Sequence, residues 1–181
     1  MTEHRSATIT DPEAGISLVE VIMYSTLTVL VLTVVGSLFF VGFQTQAVTG
    51  DRDAATGSAQ VVATSLQSSI SNASAVQVTS TTAVARVATG DTGWRCEAWA
   101  LTSDHTIVYR SSDTAITGTD FTGWTVLATG VTGGLAGGAA FSGDSTRLNY
   151  SLTFTTGTVT VPIAGAAAAS AFGTGSPESC W

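Results

Sequence analysis

The chain has 181 residues, of which 44% are hydrophobic and only 10% are charged, and its formal net charge at pH 7 is −7. A soluble domain carries roughly 25% charged residues, so this chain has less than half of the usual fraction. It contains no lysine, and its six arginines are scattered, with no two of them closer than nine positions. Without a basic patch, direct binding of nucleic acid is not expected, and the high apolar fraction excludes a disordered chain.

The first predicted element is a long apolar helix that contains residues 21–43, a run of twenty-three residues without a charge. Because an α-helix rises about 1.5 Å per residue, roughly 20 apolar residues cross a hydrocarbon core of about 30 Å. A cleaved secretory signal has a shorter apolar region, of roughly 7–15 residues, followed by a small-x-small cleavage site. The residues that follow this run, 44–47 (QTQA), do not fit such a site. The run therefore predicts a membrane-spanning helix.

The residues before this run carry a more specific pattern. Residues 1–15 are polar and end in Gly15, and Ile16-Ser17-Leu18-Val19-Glu20 then leads directly into the apolar run. A carboxylate in a membrane helix costs about 2.5–3.5 kcal/mol at mid-bilayer and less near the interface. Glu20 is therefore either an interfacial acid without a role or a residue that requires a partner.

This pattern of a polar leader, a glycine, an apolar residue and a glutamate resembles the processing signal of type IV prepilins and pseudopilins. The resemblance implies that residues 1–15 are a leader peptide and that prepilin peptidase cleaves between Gly15 and Ile16. It also implies that Ile16 is N-methylated and that Glu20 pairs with an N-terminal ammonium during filament assembly. Such a pair offsets two costly charges among apolar helices and fixes their register. The leader departs from the family in being net acidic, since family leaders are usually basic.

Beyond the apolar run the hydrophobic residues move to one side of the predicted helix. Their spacings of three, four and seven residues indicate an amphipathic helix with one buried face. The stripe consists of Val48, Ala55, Ala59, Val62, Leu66, Ile70 and Ala73. We therefore expect a leader at 1–15, a transmembrane helix at 16–43, its amphipathic continuation at 44–74 and an extracytoplasmic β-rich domain at 75–181.

The rest of the chain is rich in threonine, valine and glycine, in short alternating runs that are typical of strands. The predicted strands are 75–80, 84–89, 94–101, 106–110, 124–129, 148–155 and 158–163. A long helix followed only by strands predicts an α+β fold with an antiparallel sheet packed on the helix, and the resemblance implies that this is the type IV pilin fold. The glycine-rich segment 130–143 has no phosphate-loop pattern and no lysine, so we expect a flexible loop there.

Two segments of this domain resemble minor pilins of the W/J type. They are residues 94–99 (WRCEAW), which precede the predicted strand 106–110, and residues 123–127 (GWTVL). This resemblance favours a minor subunit over the major one.

The two cysteines, Cys96 and Cys180, form an even pair, which outside the cytoplasm predicts a disulfide; the alternative is two unpaired thiols. Together with His105, the only histidine beyond the predicted leader, they do not reach the ligand number and spacing of known metal sites. The neighbouring Asp104 and His105 are better explained by a solvated turn than by a Ser/His/Asp site. We therefore expect no catalytic residue, no metal and no cofactor.

These features predict a type IV pilus-like subunit, a minor pilin or pseudopilin, that is not an enzyme. Its expected place is the cytoplasmic membrane, with an extracytoplasmic domain, and an extracellular pilus or pseudopilus after assembly. Its expected partners are prepilin peptidase, other pilin subunits and membrane lipid, in pilus biogenesis, adhesion, DNA uptake or type II secretion. The alternative is a membrane-anchored adhesin or envelope-binding domain that does not polymerise and keeps its N-terminus uncleaved.

Overall fold

The computed structural model describes residues 17–90, 93–171 and 179–181. One long helix, α1, spans Leu18–Ser71 and contains 54 residues. In the described residues nine strands follow it: β1 (Ala73–Val78), β2 (Thr82–Ala88), β3 (Trp94–Leu101), β4 (Thr106–Ser112), β5 (Thr125–Thr129), β6 (Val131–Gly133), β7 (Phe141–Gly143), β8 (Arg147–Thr156) and β9 (Val159–Ala168). The chain divides into two compact units, residues 1–45 and residues 46–181, and each is described by itself.

The strands of the second unit form two antiparallel sheets. The first has five strands in the order β1-β2-β3-β4-β5. The second is built on β8, which pairs with β9 along its whole length and with β6 and β7 over shorter stretches. We expected a single sheet, and the second arises because β8 pairs with β9 and with two short strands from the glycine-rich segment. The α+β architecture, with a helix packed on antiparallel sheet, is confirmed.

The second part of α1 packs on this sheet structure through one stripe of apolar side chains. Five of the predicted stripe residues are buried, with exposures of 1% or less: Ala55, Ala59, Val62, Leu66 and Ile70. They join a core that includes Trp99 on β3, Ile107 on β4 and Phe154 on β8. Val48 is 50% exposed. Ala73 is buried too, but it begins β1 because α1 ends at Ser71.

The glycine-rich segment 130–143 is not the flexible loop that we expected. It contains β6, a short 3-10 helix at Ala136–Gly138 and β7, and the side chains of Val131, Ala140 and Phe141 are buried. Its glycines allow close packing, since a Cβ atom on Gly133 would collide with the carbonyl oxygen of Gly138. A glycine-rich sequence does not by itself distinguish the two cases, because glycine both makes a loop flexible and lets backbone segments pack closely.

The last strand is longer than predicted. We expected it to end at residue 163, whereas β9 continues to Ala168. Its second half, AGAAA, consists of alanine and glycine, which are uncommon in strands. The pairing of β9 with β8 continues as far as Arg147 and Ala168. This pairing outweighs the weak preference of alanine and glycine against strands.

Candidate functional site

The first part of α1, residues 18–45, exposes its large apolar side chains. Leu30, Phe39 and Phe43, for example, are 61%, 65% and 68% exposed. This part of the helix is long and apolar enough to cross a membrane. Soluble monomers rarely expose a contiguous apolar patch larger than a few hundred Å². Such a surface is compatible with an apolar environment, such as lipid or the apolar faces of other helices.

The serine and threonine hydroxyl groups within this apolar run are satisfied by the helix itself. Each donates a hydrogen bond to a carbonyl oxygen three or four residues earlier, with donor–acceptor distances between 2.7 and 2.9 Å. The five residues are Ser25, Thr26, Thr28, Thr33 and Ser37. A hydroxyl that is bonded to its own helix is cheaper to place in hydrocarbon than an unpaired one. These polar residues therefore do not oppose an apolar environment for the helix.

Glu20 lies in the first turn of α1, where its N–H donates to the carbonyl oxygen of Ser17 at 2.9 Å. Its side chain is exposed and, within the described part of the chain, has no ion-pair partner. The amino end of a helix is a favourable place for an acidic side chain. Gly15 and Ile16 lie outside the described residues. Cleavage after Gly15, methylation of Ile16 and pairing of Glu20 therefore stay predictions.

The predicted disulfide is present. Cys96 on β3 and Cys180 are bonded, with their Cα atoms 5.4 Å apart, and both are buried. They lie on the side of the five-stranded sheet that α1 does not cover, which we call the outer face; Val84, Ala98 and Ile116 pack around them there. The N–H of Ile116 also donates to the carbonyl oxygen of Cys180 at 3.0 Å. A covalent bond and a backbone hydrogen bond thus hold Cys180 on the outer face.

The opposite, inner face of β3 presents a buried carboxylate to α1. Glu97 is 6% exposed, and it accepts a hydrogen bond of 2.6 Å from the hydroxyl of Ser69 on α1. The guanidinium of Arg95 lies 3.5 Å from the same carboxylate. A buried charge is costly unless it is paired and hydrogen-bonded, and these two contacts supply both conditions.

Two aromatic side chains complete this polar cluster. The indole of Trp99 donates to the hydroxyl of Ser65 on α1 at 3.0 Å, and its ring centroid lies 5.5 Å from that of Tyr109. Burial, and then the negative charge of Glu97, raise the pKa of the Tyr109 hydroxyl above its ordinary value. The cluster therefore fixes α1 against β3 by two directional bonds, in addition to apolar packing.

The sequence analysis did not identify this cluster. The signal that could have indicated it is the pair Arg95 and Glu97, the two charged residues of a strand whose other residues are apolar. The residues that complete the cluster come from α1, and their pairing with β3 depends on the tertiary arrangement.

Among the described residues, no group of three or more histidine, cysteine, aspartate or glutamate side chains could hold a metal ion. His105 lies in the exposed turn between β3 and β4, in a left-handed backbone conformation with φ of 57°.

Comparison of the chain with models of known protein families, with curated proteins and with solved structures finds no match.

Proposed function

We propose that the chain is a type IV pilus-like subunit, a minor pilin or pseudopilin, whose role is assembly and display. In this proposal prepilin peptidase cleaves it after Gly15, Ile16 becomes the methylated N-terminus, and the fold is the type IV pilin fold. The mature subunit first lies in the cytoplasmic membrane and then enters a filament through its N-terminal helix. Its partners are the peptidase, membrane lipid and other pilin subunits.

The observation that carries this proposal is the difference in side-chain exposure between the two parts of one uninterrupted helix. Residues 18–45 of α1 expose their apolar side chains, whereas residues 46–71 bury a single stripe against antiparallel sheet. The exposed part begins within a segment that has the pattern of a prepilin signal. A helix of this kind suits two apolar environments in succession, the lipid of a membrane and the interior of a helical filament.

The position of Glu20 supports the same proposal. Its carboxylate lies in the first turn of an apolar helix and is exposed. In a bundle of such helices an unpaired carboxylate is costly, and an ammonium from the N-terminus of a neighbouring subunit offsets that cost. Because only one register brings the two groups together, the pair also selects how adjacent helices are staggered.

The disulfide is consistent with a domain outside the cytoplasm. Disulfides form and persist in oxidising compartments and are rare in the cytosol. The bond between Cys96 and Cys180 lies in the second unit, which is the part that this proposal places beyond the membrane.

The proposal is tested by replacing Glu20 in cells that assemble the filament. Glu20→Gln keeps the size of the side chain and removes the charge, so we expect normal cleavage but loss of the chain from sheared filaments. Asp53→Asn is the matched control, because Asp53 is an exposed acid elsewhere on α1. It should leave incorporation unchanged. Immunoblots of the membrane and sheared-filament fractions measure both effects.

Normal incorporation of the Glu20→Gln variant would overturn the assigned role of Glu20. If the unaltered chain stays in the membrane and never enters a sheared fraction, the alternative of a membrane-anchored domain that does not polymerise is favoured instead.

A further inference from the structure

The outer face of the five-stranded sheet carries a cavity of about 240 Å³ that filament assembly through α1 does not use. Val84 of β2 and Ala98 of β3 line it from the sheet. Residues of the segment 116–124, which connects β4 to β5, line another side, and Trp181 completes it. We call this cavity the outer-face pocket.

The pocket combines aromatic rings with neutral polar groups. Its aromatic residues are Phe121, Trp124 and Trp181, and the first two pack edge to face, with centroids 5.2 Å apart and an interplanar angle of 85°. Its polar side chains are Gln77, Thr82 and Thr117. No charged side chain lines it in the described part of the chain. An anionic ligand would therefore find no counter-charge, although charge-assisted bonds are the usual means of binding one.

One donor at the pocket is unused. The indole N–H of Trp124 is buried and has no hydrogen-bond acceptor among the described residues. Buried polar groups nearly always have a partner, so each exception calls for an explanation. Because this N–H has almost no accessible surface, an oxygen acceptor of a ligand would reach it only after a small rotation of the Trp124 ring.

The disulfide determines whether the pocket is complete. Trp181 directly follows Cys180, which is bonded to Cys96 on β3 and accepts the hydrogen bond from Ile116. Trp181 is nevertheless 37% exposed, so it contributes little to the core itself. The disulfide therefore positions an exposed aromatic ring at the edge of the pocket.

We propose that the outer-face pocket binds one ring of a neutral saccharide. A pyranose ring has apolar C–H faces, which pack on aromatic side chains, and hydroxyl groups at its edges, which exchange hydrogen bonds with amides and hydroxyls. Ligand sites for drug-sized molecules have volumes of roughly 300–1,000 Å³, so a cavity of about 240 Å³ suits a single ring.

A second cavity, of about 570 Å³, adjoins the outer-face pocket and shares Thr82 and Phe121 with it. Most of its other side chains are neutral and carry hydroxyls, among them Thr102, Ser103 and Thr132. A longer saccharide would therefore place one ring in the outer-face pocket and further units in this second cavity, whose lining combines apolar surface with hydroxyl groups.

A proline-rich peptide is the competing occupant, because aromatic grooves also bind polyproline helices. Such grooves present a row of aromatic ridges to an extended chain. Here Phe121 and Trp124 are nearly perpendicular, and the cavity that they line holds about one ring. These two features favour the saccharide.

The test uses the full chain, oxidised, in a zwitterionic detergent that has no sugar headgroup. The probes are the methyl glycosides of glucose, galactose and N-acetylglucosamine, titrated by calorimetry and by tryptophan fluorescence. We expect at least one of them to bind with a Kd of about 1 mM or lower. Trp181→Ala should weaken that binding about tenfold through loss of an aromatic contact. Gln77→Ala should weaken it about fivefold through loss of a hydrogen bond.

Trp94→Phe is the matched control. Trp94 also has a buried indole N–H without an acceptor in the described residues, but it does not line the pocket. Its replacement should leave saccharide binding unchanged. Gln77 is exposed on β1, so Gln77→Ala keeps the test valid even where a tryptophan variant fails to fold.

The proposal is overturned if none of the three glycosides binds, or if neither Trp181→Ala nor Gln77→Ala weakens binding. It is also overturned if a proline-rich decapeptide binds and Trp181→Ala weakens its binding, while none of the glycosides binds. Because the pocket lies away from α1, Trp181→Ala should still enter filaments, which separates failure of this proposal from failure of the assembly proposal.

Discussion

The two segments of α1 share one backbone conformation and differ in where their apolar side chains lie. Residues 18–45 expose large apolar side chains such as Leu30 and Phe39, whereas residues 46–71 bury one stripe that includes Leu66. Their hydroxyls differ in the same way. Ser37 bonds to a carbonyl of its own helix, while Ser69 bonds to Glu97 on β3.

This contrast shows that a single helix can be stabilised by two different environments. The second segment is held by a core and by a polar cluster within its own unit. Among the described residues of its unit the first segment packs on no core, so its apolar surface is available to lipid or to other helices. A change in one segment should therefore leave the stability of the other intact. All four tryptophans, Trp94, Trp99, Trp124 and Trp181, lie in the second unit, so their fluorescence monitors that unit alone.

The largest expected effect comes from the disulfide, which belongs only to the second unit. Replacing both Cys96 and Cys180 by serine should lower the free energy of unfolding of that unit by about 4 kcal/mol, because the unfolded chain is no longer cross-linked. Denaturant titration followed by tryptophan fluorescence in detergent measures the loss. Reduction of the unaltered chain should give the same result. Equal stability of the oxidised chain and the double variant would show that the disulfide does not support the fold.

The buried stripe should respond more strongly than the exposed segment to the same substitution. Leu66→Ala removes a fully buried side chain and should destabilise the second unit by about 3 kcal/mol through the cavity that it leaves. Leu30→Ala is the control on the same helix, where the side chain is 61% exposed. It should leave the fluorescence-monitored transition unchanged. Similar losses for the two variants would contradict the separation of the segments.

The smallest effect concerns the hydroxyls of the two segments. Ser69→Ala leaves Glu97 without one of its hydrogen-bond donors and should destabilise the second unit by about 1–2 kcal/mol. Ser37→Ala, which removes a bond within the first segment, should not alter that transition. Thermal unfolding, followed by tryptophan fluorescence, compares the stability of the second unit in the two variants. A Ser69→Ala variant as stable as the unaltered chain would mean that the polar cluster does not stabilise the docking of α1.

Much of this architecture follows from patterns that act over short distances. The apolar run and the stripe from Ala55 to Ile70 predicted α1 and its buried face, and the bounds of β3 were predicted without error. Alternating runs predicted most of the other strands. The cysteine pair predicted the disulfide because the number of cysteines is even and the domain was expected outside the cytoplasm.

The remaining features depend on contacts between distant parts of the chain. β6 and β7 are three residues each, in a glycine-rich segment, and they exist because β8 offers partners. The hydrogen bond between Ser69 and Glu97 can be recognised only from the fold, and so can the common cavity that Trp181 and Trp124 line. The candidate sites that the sequence did indicate, Gly15, Ile16 and Glu20, came from a local motif.

The N-terminal mass of the chain, extracted from membranes of cells that contain a prepilin peptidase, tests the central claim most directly. We predict a chain that begins at Ile16 and carries one added methyl group. Gly15→Leu should block this cleavage. Gly36→Leu, the same substitution at a helix position with open space around it, should not. An unaltered chain that retains residues 1–15 would contradict the account and identify an uncleaved membrane-anchored domain.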